Sequence, residues 1–306
     1  MMYKGSKKIL LISAMASVAV LAISCKCNRE TDEMLQVSNE QRAADSALVS
    51  SIESVKQIFY SLPSPLETAM ILKRSGATYN EELLNPIENA SKYNTTKSMA
   101  LNLGIYSTDL SYASLFDQTQ ATIKYMTVSK KMAEGLGILN AIDNSVIEKL
   151  EENINNRDVI LETISETFLN TNSILQEDDR VAVGSIILVG GWIEGLYIAT
   201  SLVDDIKKVD NEMVDRIVDQ KLSLQTVLKL LEQSNSNADV KELYADMVEL
   251  EKVYNEVKIT VSDVKVVQDG KANVATLKSK NVTTVSPEAF KKLKTKVLEL
   301  RKKYTA

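Results

Sequence analysis

The chain has 306 residues, with 41 acidic against 36 basic side chains, and this acidic balance sets nucleic acid aside as a partner. It contains no histidine, which excludes Ser-His-Asp and Cys-His catalysis, the usual His or Cys zinc sites and helical di-iron sites built on Glu-x-x-His. Among hydrolytic chemistries only carboxylate pairs or an all-oxygen metal site remain, and no cofactor is implied. Glycine, proline and aromatics are scarce, while leucine, isoleucine, valine, alanine, glutamate and lysine dominate, a composition that suits helices.

Residues 1–25 read MMYKGSKKILLISAMASVAVLAISC. Lys4, Lys7 and Lys8 form a basic start, Ile9 to Ile23 an apolar run, and small residues precede Cys25, the pattern of a secretory signal. Leu21-Ala-Ile-Ser-Cys25 resembles the lipobox of bacterial lipoproteins. That resemblance implies removal of residues 1–24, a diacylglycerol on the Cys25 sulfur, and a membrane partner reached through this anchor. Lys26 stands where an aspartate retains enterobacterial lipoproteins at the inner membrane, so the resemblance implies the outer membrane. Loss of the signal takes three lysines from the 36 basic residues and none of the 41 acids, leaving a net charge of −8. Residues 25–40 read as a polar tether. The only cysteines are Cys25 and Cys27, so no disulfide staples the body.

Periodicity predicts helix almost throughout. Leu48, Ile52, Val55, Phe59 and Leu62 mark a first stripe, and Ser64-Pro65-Leu66-Glu67 opens a second helix that runs to about Gly76. A short segment from Glu81 to Asn89 is interrupted by Pro86. A longer helix is expected from Thr96 to Gly135, kinked or interrupted at Gly104 and ended by Gly135 and Gly137. Asp143 or Asn144 caps the next, with Val146, Ile147, Leu150 and Ile154 inward. Asn156 to Gln176 then carries Ile160, Ile164, Phe168 and Leu175 on one side.

Residues 181–203 form the most apolar segment, with the single charge Glu194. It is long enough to approach a bilayer span, and Gly191-x-x-x-Gly195 mimics a membrane dimer motif. The preferred reading is the buried central helix of a bundle. Val214, Ile217, Leu224, Leu228 and Leu231 mark the next helix. Leu243, Met247, Leu250, Tyr254 and Val257 mark another, with Val261 and Val264 prolonging the pattern. From Gln268 to Ser286 a weakly structured connector is expected, with at most a short hairpin, and Ser286-Pro287-Glu288 opens a C-terminal amphipathic helix. The expected fold is therefore all-α: a multi-helix bundle over residues 41–267 around the central apolar helix, then a connector (268–286) and a terminal helix (287–306).

Two segments carry the candidate binding residues. Glu194, flanked by Trp192 and Tyr197, must be paired, protonated or facing a cavity if that helix is buried. Tyr106 to Gln120 is rich in hydroxyls, amides and acids; it places Asp109, Tyr112, Phe116 and Gln120 on one face, with Asp117 two turns from Asp109. If the two segments meet, they form a polar cavity for a cation or a small polar ligand, or an inter-helix network that fixes register.

The runs Asp109 to Gln120 and Gly190 to Ile198 resemble segments of functionally unassigned helical lipoproteins of Bacteroidetes-type bacteria, which implies an all-α envelope protein and transfers no activity. The leading expectation is a non-catalytic, lipid-anchored module for an envelope protein partner or small polar ligand. The alternative is a carboxylate-based enzyme on cell-wall or glycan material, with Glu194 and Asp109 or Asp117 as acid and base. A third reading is a purely structural tether or assembly factor that uses the basic C-terminal helix as a docking element, favoured if Phe290, Leu293, Val297 and Leu300 form an exposed apolar patch.

Overall fold

The most apolar stretch of the chain sits where such a sequence must, inside other helices. In a computed structural model, residues 77–139, 144–177, 180–203, 212–261, 265–268, 275–278 and 281–306 are described. The signal, the tether with Cys25 and Cys27, and the first two expected helices lie outside the described residues.

Two 3-10 helices, Glu81–Leu83 and Ile87–Ser91, flank Pro86. The α-helices that follow are α1 (Thr96–Leu115), α2 (Thr119–Gly135), α3 (Asn144–Glu152), α4 (Arg157–Glu177), α5 (Val181–Ser201), α6 (Glu212–Gln233) and α7 (Ala238–Tyr254). Strands β1 (Lys258–Val261), β2 (Lys265–Gln268), β3 (Ala275–Lys278) and β4 (Asn281–Thr284) precede the last helix, α8 (Pro287–Tyr304). The fold is an all-α bundle. Helix α5 is its central element, packed against α1, α4, α6, α7 and α8. By length and composition α5 is long and apolar enough to cross a membrane; in the bundle it is the core helix, with Ile186, Ile187, Val189, Ile193 and Ile198 buried.

Glycine decides how α1 meets α5. A Cβ built on Gly104 would stand 2.0 Å from the Ile187 carbonyl oxygen, and one on Gly190 would stand 2.1 Å from that of Leu101. The two backbones touch, and Thr108 Oγ1 donates across the contact to Gly191 O at 3.2 Å. Gly104 therefore does not break the helix, as its low propensity suggested; it is there for close approach. The break comes later, at 116–118, where Asp117 adopts φ 58° and separates α1 from α2. Aspartate is among the few residues that tolerate this left-handed conformation. Gly195 has only Thr108 Cγ2 near it, at 3.9 Å, so the close contact runs through Gly190 and Gly191 rather than the Gly191-x-x-x-Gly195 spacing.

The terminal elements also depart from expectation. Helix α7 stops at Tyr254, and Val261 ends β1 instead of continuing a helix; Val264 lies outside the described residues. Ile259, Thr260 and Val261 are β-branched, which favours the extended chain once helical packing stops at Val257. Strand β1 pairs antiparallel with β4, Ile259 opposite Thr283, and β2 with β3, Val266 opposite Leu277, so the connector holds two nested ladders. Helix α8 starts as its sequence dictates: Ser286 accepts from Ala289 N at 3.1 Å, with Pro287 in the first turn. Its apolar face of Phe290, Leu293, Val297 and Leu300 is buried in the common core. That burial weakens the tether or assembly-factor reading, which an exposed face there would have favoured.

Candidate functional site

Helices α5 and α8 bring together two residues far apart in sequence. Glu194 is fully buried, and Arg301 grips it with both arms: Nε donates to Oε2 at 3.1 Å and Nη2 to Oε1 at 3.2 Å. The same Nη2 reaches Leu83 O at 3.2 Å, and the guanidinium lies 4.8 Å from the centre of the Tyr197 ring. Desolvation of the charge is thus offset by a fork-shaped partner, a carbonyl and an aromatic face.

Asp109 completes the cluster from α1. It is fully buried, and its Oδ2 accepts from Asn85 N at 3.1 Å. Its Oδ1 has no donor within the protein, yet Asp109 lies in hydrogen-bonding reach of Glu194. Of the two carboxyls, Asp109 lacks the Arg301 fork and is the one whose neutral form the site favours. Burial, followed by the negative charge of Glu194, pushes the Asp109 carboxyl well above the usual carboxylate range. Burial raises Glu194 as well, with the Arg301 guanidinium pulling against it. Arg301 thus favours the ionised form of Glu194, while burial favours the neutral form of Asp109.

A lid of amides seals the cluster. Asn85 donates from Nδ2 to Tyr93 OH at 3.1 Å and to Asn102 Oδ1 at 3.0 Å, and accepts from Asn89 Nδ2 at 2.9 Å. Asn102 Nδ2 reaches Tyr304 O at 3.0 Å, and Tyr93 OH donates to Thr305 O at 3.2 Å. Tyr106 OH donates to Pro86 O at 3.0 Å. These bonds clamp residues 85–93 and the end of α8 onto α1. Asn85 and Asn102 are fully buried.

Of the sequence-predicted residues, Glu194, Asp109 and Tyr197 meet around Arg301. Tyr112 lies one turn further along α1; its OH accepts from Asn80 N at 3.1 Å and donates to Thr78 O at 3.3 Å, and its ring stacks 5.4 Å from Tyr79. Trp192 points elsewhere, its Nε1 donating to Gln220 Oε1 of α6 at 3.0 Å. Asp117 and Gln120 are exposed and do not join the cluster, because the turn at 116–118 takes the chain off the Asp109 face. Asp117 instead lines a cleft with Arg157. Sequence reasoning missed Arg301, Asn85, Asn102 and Tyr93; the one available signal was Asn102, an amide between Leu101 and Leu103.

Chemically the cluster sets side by side two carboxyls with different surroundings, as acid-base pairs do, but both are enclosed by protein: Glu194 and Asp109 are 0% exposed. Both oxygens of Glu194 are taken by Arg301. Among the described residues no group of three or more acids or cysteines is arranged to hold a metal. No family model matches the chain, and comparison with curated proteins and with solved structures gives no significant match.

Proposed function

We propose that this chain is a lipid-anchored protein of the cell envelope, held through Cys25 at the outer membrane, whose helical body is a non-catalytic binding or scaffold module. One observation carries the non-catalytic part: Glu194, the lone acid of the apolar helix, is spent on Arg301 and Asp109 inside a fully buried core. A catalytic carboxylate must reach its substrate, and this pair reaches only protein. The lipobox-like Leu21 to Cys25 supports the anchor, and Lys26 supports the outer membrane.

The test is in-cell cross-linking and affinity purification of the full-length chain, with Cys25→Ser as control and incorporation of a labelled fatty acid as the anchor readout. The reading expects label on the wild type, none on Cys25→Ser, and a captured envelope partner or a bound small molecule that depends on anchoring. Absence of label on the wild type overturns the anchor. Turnover of a glycan or peptide substrate that is lost in Glu194→Gln, with the fold retained, overturns the non-catalytic reading.

A further inference from the structure

A cleft of about 220 Å³ opens where the turn between α1 and α2 meets the turn between α3 and α4, lined by Ser114, Asp117, Thr119, Ile154, Asn155 and Arg157. Thr119 Oγ1 donates to Asn155 Oδ1 at 3.1 Å and Arg157 Nε to Asp158 Oδ1 at 3.0 Å, while the other polar groups that follow are not used by the fold. Ser114 is 3% exposed, and its Oγ has no hydrogen-bond partner within the protein, which is rare for a buried hydroxyl because its desolvation goes uncompensated. Helix α2 begins at the cleft without a side-chain cap; Gln118, at the capping position, sends its amide to Phe116 O at 2.8 Å instead. The first-turn N–H groups of α2 thus lack the side-chain acceptor that usually satisfies them and present partial positive charge. Finally, Asp117 Oδ2 and Arg157 Nη1 stand 4.0 Å apart, beyond hydrogen-bonding distance, so both signs of charge are displayed side by side.

The pattern selects its ligand by exclusion. A simple anion suits Arg157 and the α2 terminus but is repelled by Asp117. A simple cation suits Asp117 but meets Arg157 and the helix terminus. A neutral polyol uses neither charge. We infer that the cleft binds a small zwitterion of the α-amino-acid type. Its carboxylate lies toward Arg157 and the first turn of α2, its ammonium toward Asp117, and its side chain toward Ile154, with the Ser114 hydroxyl as an additional donor. The volume falls below the roughly 300–1,000 Å³ of pockets for drug-sized ligands, which limits the side chain to a small one. This site deepens the binding-module reading above and rests on it.

The experiment is isothermal titration of the full-length chain in detergent with L-alanine, with acetate, methylamine and glucose as comparators, repeated on Asp117→Asn and Arg157→Gln. Asparagine tolerates the left-handed backbone of position 117, where the side chain is exposed, and Gln at the half-buried position 157 keeps a polar stem; matching thermal melts verify that the fold is kept. Saturable binding of L-alanine, weakened about tenfold or more in each variant, with much weaker binding of the single-charge and neutral comparators, is the expected result. No saturable binding of L-alanine, binding unchanged in both variants, or glucose binding as tightly as alanine each overturns the site. A failed titration together with a captured envelope partner removes the cleft but leaves the binding-module reading standing; failure of both removes both.

Discussion

Arg301 of α8 holds both carboxylate oxygens of Glu194 of α5, at 3.1 and 3.2 Å, and through that grip the last helix is fastened to the central one. Replacing such a pair by apolar residues of similar shape is often neutral, so its presence alone is weak evidence for stability. Removing one partner is another matter, since it leaves the other charge buried. Arg301→Ala is expected to lose about 3–5 kcal/mol of folding stability. Arg301→Lys should recover only part of it, because an ammonium cannot fork onto two oxygens while reaching Leu83 O. Urea unfolding measures both.

Asp109→Asn should stabilise the protein at neutral pH. Asp109 has a folded-state pKa raised well above its ordinary value, so the folded state binds its proton more tightly than the unfolded chain does. Its contribution is fully present below the usual carboxylate pKa and is lost as pH rises toward the raised value, at up to about 1.4 kcal/mol per pH unit. Asparagine does not titrate, yet it keeps an acceptor for Asn85 N and a donor toward Glu194. The stability difference between variant and wild type is therefore expected to be small in acid and to grow in favour of the variant toward neutrality. A pH series of urea midpoints reads it directly; a difference that shrinks toward neutrality contradicts the assignment.

Glycine substitutions separate close approach from simple helix weakness. Gly104→Ala and Gly190→Ala place a methyl about 2 Å from a carbonyl oxygen of the opposing helix, and each is expected to cost about 1–3 kcal/mol or more through forced separation of α1 and α5. Gly195→Ala meets only Thr108 Cγ2 at 3.9 Å and should be neutral or gain about 0.5–1 kcal/mol from helix propensity. Thermal melts of the three variants test the ordering.

The basic end of α8 is expected to matter little. Lys303 pairs with Asp246 at 2.8 Å and Glu242 at 2.9 Å, but its side chain is 44% exposed. Lys303→Ala should cost less than about 1 kcal/mol, and added salt should erase most of that. The contrast with Arg301, two residues away, is a measurement of burial rather than of charge.

Much of the bundle was legible because buried helical faces repeat. Leu243, Met247, Leu250 and Tyr254 announce α7, and Ser286-Pro287 announces the start of α8. Gly137, at φ 66°, follows the end of α2 where a glycine was expected to stop it. The meeting of Asp109 with Glu194 stayed conditional in the sequence, because no local pattern says which helices touch. Arg301 did not follow, because no local pattern links it to a partner on another helix, and a basic last turn already has a reason to exist in the helix dipole. The turn at Asp117 was hidden for a related reason: no glycine or proline marks residues 116–118, and an aspartate takes the left-handed conformation without advertising it. Gly104 misled in the opposite direction, since its value lies in what it lets approach.

The most direct measurement of the account is carbon-13 NMR of the side-chain carboxyls in aspartate-labelled protein, followed with pH and assigned with Asp109→Asn. The account predicts one carboxyl resonance that titrates well above the others and vanishes in the variant. Titration of every aspartate carboxyl in the ordinary range would contradict it: Asp109 would then be ionised beside Glu194 and open to solvent. The acid-base reading of the pair would replace the structural one.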